Sequence, residues 1–250
     1  MKKFILLFSL IFVFSCDSEK AIDCFQSAGS EASKTFEVAG FSKIMVGDRV
    51  KLFISEGDSL RVSVKTGDNL LPETDAYVEN GKLFFENGNN CNLVRDFALV
   101  EFYVTTPKLT EIKNGSQFDV QSQGTLGFPS LTLISDDTGE EDEYHTDGDF
   151  KLEIDNDSLN IINNNLSNYF LSGSTKNFDI QMKIGDSRIE AQNLIAQHVD
   201  VFHRGTQDII VNPRQSLKAT LVSTGDLIAV HEPAILEVEE KYKGEFRIEE

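Results

Sequence analysis

The sequence has no tryptophan, three cysteines, four histidines, five prolines, and only 23 lysines and arginines against 41 aspartates and glutamates. Each shortage excludes something. A formal charge of −18 argues against nucleic-acid binding, which needs basic surface to displace counterions. So few cysteines and histidines leave little material for thiol or metal chemistry, and the missing indole removes the strongest platform for stacking on sugars. The longest apolar run, Phe4 to Phe14, is about eleven residues, too few to cross a bilayer. What the chain does have is 40% hydrophobic residues and 19 phenylalanines in 250. That is enough to bury a core, and it does not describe a disordered chain.

Lys2 and Lys3 precede the apolar run, so the first residues read as a secretory signal. The end of the run, Val13-Phe14-Ser15-Cys16, resembles the lipobox of bacterial lipoproteins. The resemblance implies cleavage before Cys16 and attachment of several acyl chains there. That number of chains holds a protein at a membrane where one would not. The expected location is the cell envelope, as an outer-membrane lipoprotein facing either the periplasm or the surface. Residues 1–15 are then the signal peptide, and the mature chain carries 21 basic against 41 acidic residues, a charge of −20. With Cys16 lipidated, Cys24 and Cys91 remain, and an even pair in an exported protein suggests a disulfide. Closing that loop would contribute about 4 kcal/mol. Two free thiols are the alternative, and no histidine lies near either cysteine in sequence to make a nucleophile.

From Lys34 onward, apolar residues alternate with period two, as in Val50-Leu52-Ile54, Leu60-Val62-Val64, Val100-Phe102-Val104 and Phe178-Ile180-Met182. Turn signals such as Asn80-Gly81, Asn114-Gly115 and Thr224-Gly225-Asp226 separate them. No capped helix of useful length is present; Leu194 to His198 comes nearest and reads better as a strand. The fold class is all-β.

A repeat appears in the C-terminal half. Gly185, Gly205, Gly225 and Gly244 each stand just before an alternating strand, at spacings of 20, 20 and 19. Asn165 holds the equivalent place one repeat earlier, where asparagine could substitute for glycine at positive φ. A second apolar set keeps the same beat: Leu131-Leu133, Leu159-Ile161, Val199-Val201, Leu217-Ala219 and Leu236-Val238. A unit so small cannot close its own core and must stack on its neighbours. The pattern predicts a right-handed parallel β-helix, a β-solenoid with coils of about 20 residues, over residues 109–250. Residues 34–108 form an N-terminal β region, either first coils or a cap, and 16–33 a tether. A β-sandwich also has short strands at regular spacing, but the fixed repeat disfavours it.

The run from Phe41 to Asp58, then Asn69-Leu70-Leu71, then Val78 to Leu83, is similar to the opening of the head GIN domain family of putative auto-transporter adhesins, DUF2807, common in Bacteroidetes lipoproteins. The later glycine turns resemble that family's Gly-Ser-Gly repeats. Cys91-Asn92-Leu93-Val94-Arg95 and Asp23-Cys24-Phe25 are similar to cysteine motifs of its members. The resemblance covers about residues 36–248 and implies a β-helical fold without recognised catalytic residues, used in adhesion. Few turns here are true Gly-Ser-Gly, and an acidic insertion interrupts the register.

That insertion, from Asp136 to Asp149, concentrates hard oxygen ligands: Asp136, Asp137, Glu140, Asp142, Asp147 and Asp149 are a candidate Ca²⁺ set. It lacks the spacing of an EF-hand or of a glycine/aspartate β-roll, and a solvated acidic loop accounts for it. His198 and His203, five apart in a strand, are poorly spaced for a shared metal. Parallel β-helices often act on polysaccharides, and a hydrolase needs two carboxylates across neighbouring coils; Asp200 and Asp208 are candidates that nothing in the sequence singles out. Asp58-Ser59-Leu60 and Asp157-Ser158-Leu159 match a short O-glycosylation pattern. The expectation is therefore a lipid-anchored surface module for adhesion or scaffolding, with no catalysis, cofactor or metal. Its partners would be the membrane through its lipid, an unidentified glycan or protein, and no nucleic acid. The ends of a solenoid would also let copies associate. A carbohydrate-active β-helix enzyme is the alternative.

Overall fold

The computed structural model describes residues 25–89, 91, 93, 100–136, 138, 145 and 147–249. They are built from β-strands, with a 3₁₀ turn at Leu71–Glu73. In the N-terminal part lie β1 (Glu31–Phe36), β2 (Lys43–Val46), β3 (Lys51–Glu56), β4 (Arg61–Gly67), β5 (Thr74–Glu79), β6 (Lys82–Asn87), β7 (Glu101–Thr106), β8 (Glu111–Asn114), β9 (Val120–Leu126) and β10 (Ser130–Ser135). Longer strands follow: β11 (Phe150–Asn163), β12 (Tyr169–Met182), β13 (Ile189–His203) and β14 (Ile209–Leu221), then the short β15 (Leu227–Ala229), β16 (Ile235–Glu240) and β17 (Phe246–Ile248). All seventeen belong to one continuous hydrogen-bonded sheet. The all-β expectation is met.

Side-chain alternation explains the long strands. In β11, Phe150, Leu152 and Ile154 are buried, and then the inward positions become Leu159, Ile161 and Asn163. The inward set passes from even to odd numbers across Asp155–Ser158. A straight strand cannot do this with period two, so the chain bends there and carries one core around a corner. β12 makes the same switch, from Tyr169 and Leu171 to Phe178, Ile180 and Met182.

Strands β11 to β17 pair in parallel. Phe150 is opposite Tyr169, Tyr169 opposite Ile189, Ile189 opposite Ile209, Ile209 opposite Leu227, and Leu227 opposite Phe246, steps of 19, 20, 20, 18 and 19 residues. The second apolar set falls in register too, with Leu131, Leu159, Phe178, Val199, Leu217 and Leu236 in one row. Most of that row is fully buried, and burying a side chain of this size contributes about 1.5–3 kcal/mol. Phe150 stacks on Tyr169 with ring centroids 4.9 Å apart and planes 5° from parallel. At the corner before each strand, a side chain caps the next layer: Asp149 Oδ1 accepts from the Asn168 N–H at 3.0 Å, and Asn168 Oδ1 accepts from the Arg188 N–H at 3.0 Å.

The N-terminal part is mixed. β2 and β3 lie parallel to β8 and β9, continuing the stack, whereas β4 pairs antiparallel with β1 and β7, and β5 with β6. Strand β1 begins inside the stretch read as tether. Just before it, Gln26 Nε2 donates to the Asn69 carbonyl at 3.0 Å, and the Asp68 N–H donates to the Ser30 carbonyl at 2.8 Å. The chain is thus latched to the turn after β4.

The repeat glycines need a correction. Gly185 does have positive φ, at 116°, but Asn165 does not. Turns at Gly225 and Gly244 are glycine because the layers approach closely there. A Cβ on Gly225 would sit 2.3 Å from the Gln207 carbonyl oxygen and 2.5 Å from His203 Nε2.

Candidate functional site

Because Leu159 and Ile161 point inward, Asn160 must point out, and the same alternation turns out its neighbours in adjoining strands. Register places Thr132, Asn160, Asp179, Asp200, Lys218 and Glu237 in one outward row. Asp179 and Asp200 are therefore side by side on adjacent strands, about 4.8 Å apart as any two such strands are. Burial and then the charge of Asp179 raise the Asp200 carboxyl above the usual aspartate range, with Lys218 acting against both. Lys218 Nζ lies 3.4 Å from Glu237. An open groove of about 410 Å³ runs past Asp200, Lys218, Thr220, Glu237 and Glu239. Two neighbouring carboxylates can act as acid and base on a glycosidic bond or bind hydroxylated and cationic groups. Asp200 lines the groove and is exposed, and Asp179 is half-buried beside it.

At the start of the same row, Glu111 binds Lys43 at 2.8 Å and Lys82 at 3.3 Å. Burial pushes its carboxyl up, but the two lysines outweigh it and hold it below the ordinary glutamate value. A second groove, of about 300 Å³, lies at the strand bends and is lined by Asp155, Asp157, Ser174 and Lys176 among others. Aromatic pairs stand on the outer face as well, Phe53 with Tyr103 at 4.8 Å and Tyr77 with Phe84 at 5.4 Å. Their rings face each other, so they stiffen the strands. Burial first, then the hydrogen bond to Glu101, pushes the Tyr103 hydroxyl up to about 12.

Of the residues singled out in the sequence, Cys16 and Cys24 lie outside the described residues, as do Asp137, Glu140 and Asp142. Cys91 is disulfide-bonded. Asp136 is committed to Lys183 at 2.8 Å and to the Thr138 N–H. Burial opposes its ionisation, yet those bonds lower its carboxyl to about 2. Asp149 is spent on the Asn168 cap, and Asp147 is exposed. Among the described residues no three metal-ligating side chains converge. His198 Nδ1 lies 2.9 Å from Ser216 Oγ on an exposed face, while His203 is 1% exposed, so the two do not meet. Asp208 sits at a corner, 3.9 Å from Arg188. Of the two tripeptide serines, Ser59 is exposed in a turn and Ser158 half-buried in β11.

Sequence reasoning missed a buried polar row beneath the turns. Asn114, Ser135, Asn163 and His203 end their strands pointing inward, and Ser116, Ser167 and Ser187 join them from the turns, all at most 1% exposed. Ser135 Oγ bonds Ser167 Oγ at 2.7 Å, and Ser187 Oγ donates to the Asn165 carbonyl at 2.7 Å. The Gly205 N–H donates to His203 Nδ1 at 3.2 Å, and His203 Nε2 lies 2.9 Å from the Gln207 carbonyl. The trace it leaves in the sequence is a polar residue at the last inward position of those alternating strands, which by itself reads as a loop residue.

A family model described as putative auto-transporter adhesin, head GIN domain, matches residues 40–233. Among solved structures, the chain is similar to a putative adhesin from Bacteroides fragilis NCTC 9343, with a TM-score of 0.76 at 19% identity over 89% of this chain and 99% of that one. It is also similar to a putative lipid binding protein from Parabacteroides distasonis ATCC 8503, with a TM-score of 0.59 at 14% identity over 88% and 98%. A putative adhesin from Parabacteroides merdae ATCC 43184 gives 0.56 at 15% over 88% and 98%. No curated protein matches the sequence.

Proposed function

The chain belongs to the head GIN domain family of putative auto-transporter adhesins, and on that premise we propose a lipid-anchored module of the cell envelope that binds through its long outward faces and catalyses nothing. We read the parallel stack as a right-handed β-solenoid whose N-terminal part, 34–108, combines first coils with a cap. Cys16 is the acylated residue and Cys24 the disulfide partner of Cys91. The observation that carries the binding reading is the outward row from Thr132 to Glu237, an unbroken ladder of polar side chains in strand register beside an open groove. A rigid ladder of that kind suits repeated contacts with an extended ligand. A net charge of −18 turns the choice toward neutral glycans or cationic partners and away from polyuronates.

One observation favours the alternative, a carbohydrate-active enzyme: Asp179 and Asp200 are paired across adjacent strands, and the Asp200 carboxyl is raised. Against it, the groove does not exclude water, and the side chains set on the pair are Lys218 and Gln181, whose Nε2 donates to Asp179 Oδ1 at 3.1 Å, an amide that moves no proton. A glycan array together with a polysaccharide-cleavage screen, run with Ca²⁺ and with chelator, separates the readings. Binding without new reducing or unsaturated ends supports the module. Cleavage that Asp179→Asn or Asp200→Asn abolishes replaces it with the enzyme.

A further inference from the structure

The last layer of the stack brings core side chains to solvent along a strand edge. Among the described residues β16 pairs with β14 alone, and β17 with β15 alone. Leu236 continues the inward row of Leu217, and Val238 that of Ala219. Yet Leu236 is 42% exposed and the adjacent Ile235 is 54%, where Leu217 is fully buried. At the other end, β1 and β4 close over the core with Phe36 buried among them.

The backbone of β16 is half unused. Lys241, just past the strand, donates its N–H to the Leu221 carbonyl at 2.8 Å. With period two, the N–H and C=O of Leu236, Val238 and Glu240 therefore point to the free edge. The outward side chains beside that edge are acidic. Glu237 and Glu239 share their groove with Asp200, and each faces one lysine, Lys218 at 3.4 Å from Glu237 and Lys241 at 3.1 Å from Glu239. Three carboxylates, Asp200, Glu237 and Glu239, against these two lysines leave negative charge in excess there. A second copy of β16 would set these glutamates against their like, so charge disfavours an edge-to-edge dimer.

We propose that the free edge of β16 takes up an extended segment of a protein partner in which apolar residues alternate with lysine or arginine. The segment adds one strand to the sheet. Its backbone pairs with Leu236, Val238 and Glu240, its apolar side chains cover Leu236 and Val238, and its basic side chains, on the other face, lie along Glu237 and Glu239. Such an exposed edge otherwise invites aggregation. The proposal rests on the binding-module reading and gives it a polypeptide ligand.

Fluorescence anisotropy of a labelled Lys-Val-Lys-Val-Lys-Leu-Lys-Val-Lys peptide with the full chain in detergent, against the same peptide with glutamate for lysine, tests it. Saturable binding of the lysine peptide, at least tenfold tighter than the glutamate one and weakened by raising salt from 50 to 300 mM, is expected. Val238→Pro removes a free-edge N–H and no ladder bond; it should weaken binding at least tenfold with circular dichroism and melting temperature held. Glu237→Lys/Glu239→Lys should reverse the peptide preference. Equal binding of both peptides, no saturation by 1 mM, or wild-type affinity in Val238→Pro overturns the proposal. So does a dimer in sedimentation that Val238→Pro dissociates, which would give the edge to a second copy. The binding-module reading stands or falls separately, on the glycan array and cleavage screen.

Discussion

Lowering the pH from 6.5 to 5.5 should destabilise this protein through one residue, His203. Its imidazole is 1% exposed, with Nδ1 accepting from the Gly205 N–H and Nε2 set against the Gln207 carbonyl. That arrangement requires the neutral ring carrying its proton on Nε2. A second proton on Nδ1 would face a donor. Burial accordingly holds the His203 pKa below 6.5, while the Gln207 carbonyl and the charges of Asp208 and Asp226 oppose it less strongly. The folded pKa lies below the unfolded one, so the stabilisation is complete above pH 6.5. It is lost as pH falls toward the folded value, because only the unfolded chain takes up the proton. The slope is at most about 1.4 kcal/mol per pH unit for one group, or roughly 3–5 °C in melting temperature for a protein of this size. Asp136, with its carboxyl at about 2, loses its contribution only below the ordinary aspartate range. Asp200 is raised and acts with the opposite sign at low pH. Urea denaturation at pH 7.5, 6.5 and 5.5, on the wild type and on His203→Gln, measures the effect. The variant should be less stable at pH 7.5 and flat across the window. Parallel pH profiles, or an imidazole resonance titrating above 6.5, would refute the assignment.

Other perturbations read other features. Leu159→Ala empties a fully buried place between Leu131 and Phe178 and should cost about 2–5 kcal/mol in chemical denaturation. Gly225→Ala drives a methyl into the Gln207 carbonyl and His203 and should cost about 1–3 kcal/mol, whereas Gly81→Ala, with open space around its Cβ position, meets only the strain of its positive φ. Asp136→Asn removes the charge paired with Lys183 and should lower stability by about 1–2 kcal/mol at pH 7, the difference shrinking as pH falls below the ordinary aspartate range through about 2, where the native aspartate takes up its proton. Cys91→Ala should cost about 2–5 kcal/mol, and peptide mapping of the unreduced protein should join Cys91 to Cys24; a Cys16–Cys91 peptide would remove Cys16 as the acylation site.

Much of the stack was legible because strand alternation and layer repetition are both written in the positions of a few residue types. Leu159 and Ile161 declare an inward face by spacing alone, and Gly185, Gly205 and Gly225 declare the period. Two things could not be read that way. The bend at Asp155–Ser158 needs the inward set to change parity, which looks in sequence like a polar gap between two strands. The polar row was hidden for a related reason: Asn163 and His203 have the composition of loop residues, and only the turn folded over them shows that their partners are backbone groups. For the outward row, the sequence offers Asp200 and Asp208 equally. Register decides between them, because it sets Asp200 beside Asp179 and leaves Asp208 at a corner near Arg188. Asn165 misled in a simpler way, since a shared place in the repeat did not mean a shared backbone conformation.

The parallel stacking also fixes how the molecule would respond to being pulled from its two ends. Tension along the stack runs along the inter-strand hydrogen bonds, so all the bonds joining two layers share the load. The weakest junction is the last, where β17 is held by a single ladder of three residue pairs to β15, whereas β14 is joined to the next layer through β15 and β16 together. Rupture should begin at that terminus and proceed inward one layer at a time. Each step of 18–20 residues would release roughly 60–70 Å of chain at about 3.4 Å per residue. A protein held at one end and loaded at the other would therefore lengthen in discrete increments, dissipating force while the layers nearer β1 remain folded.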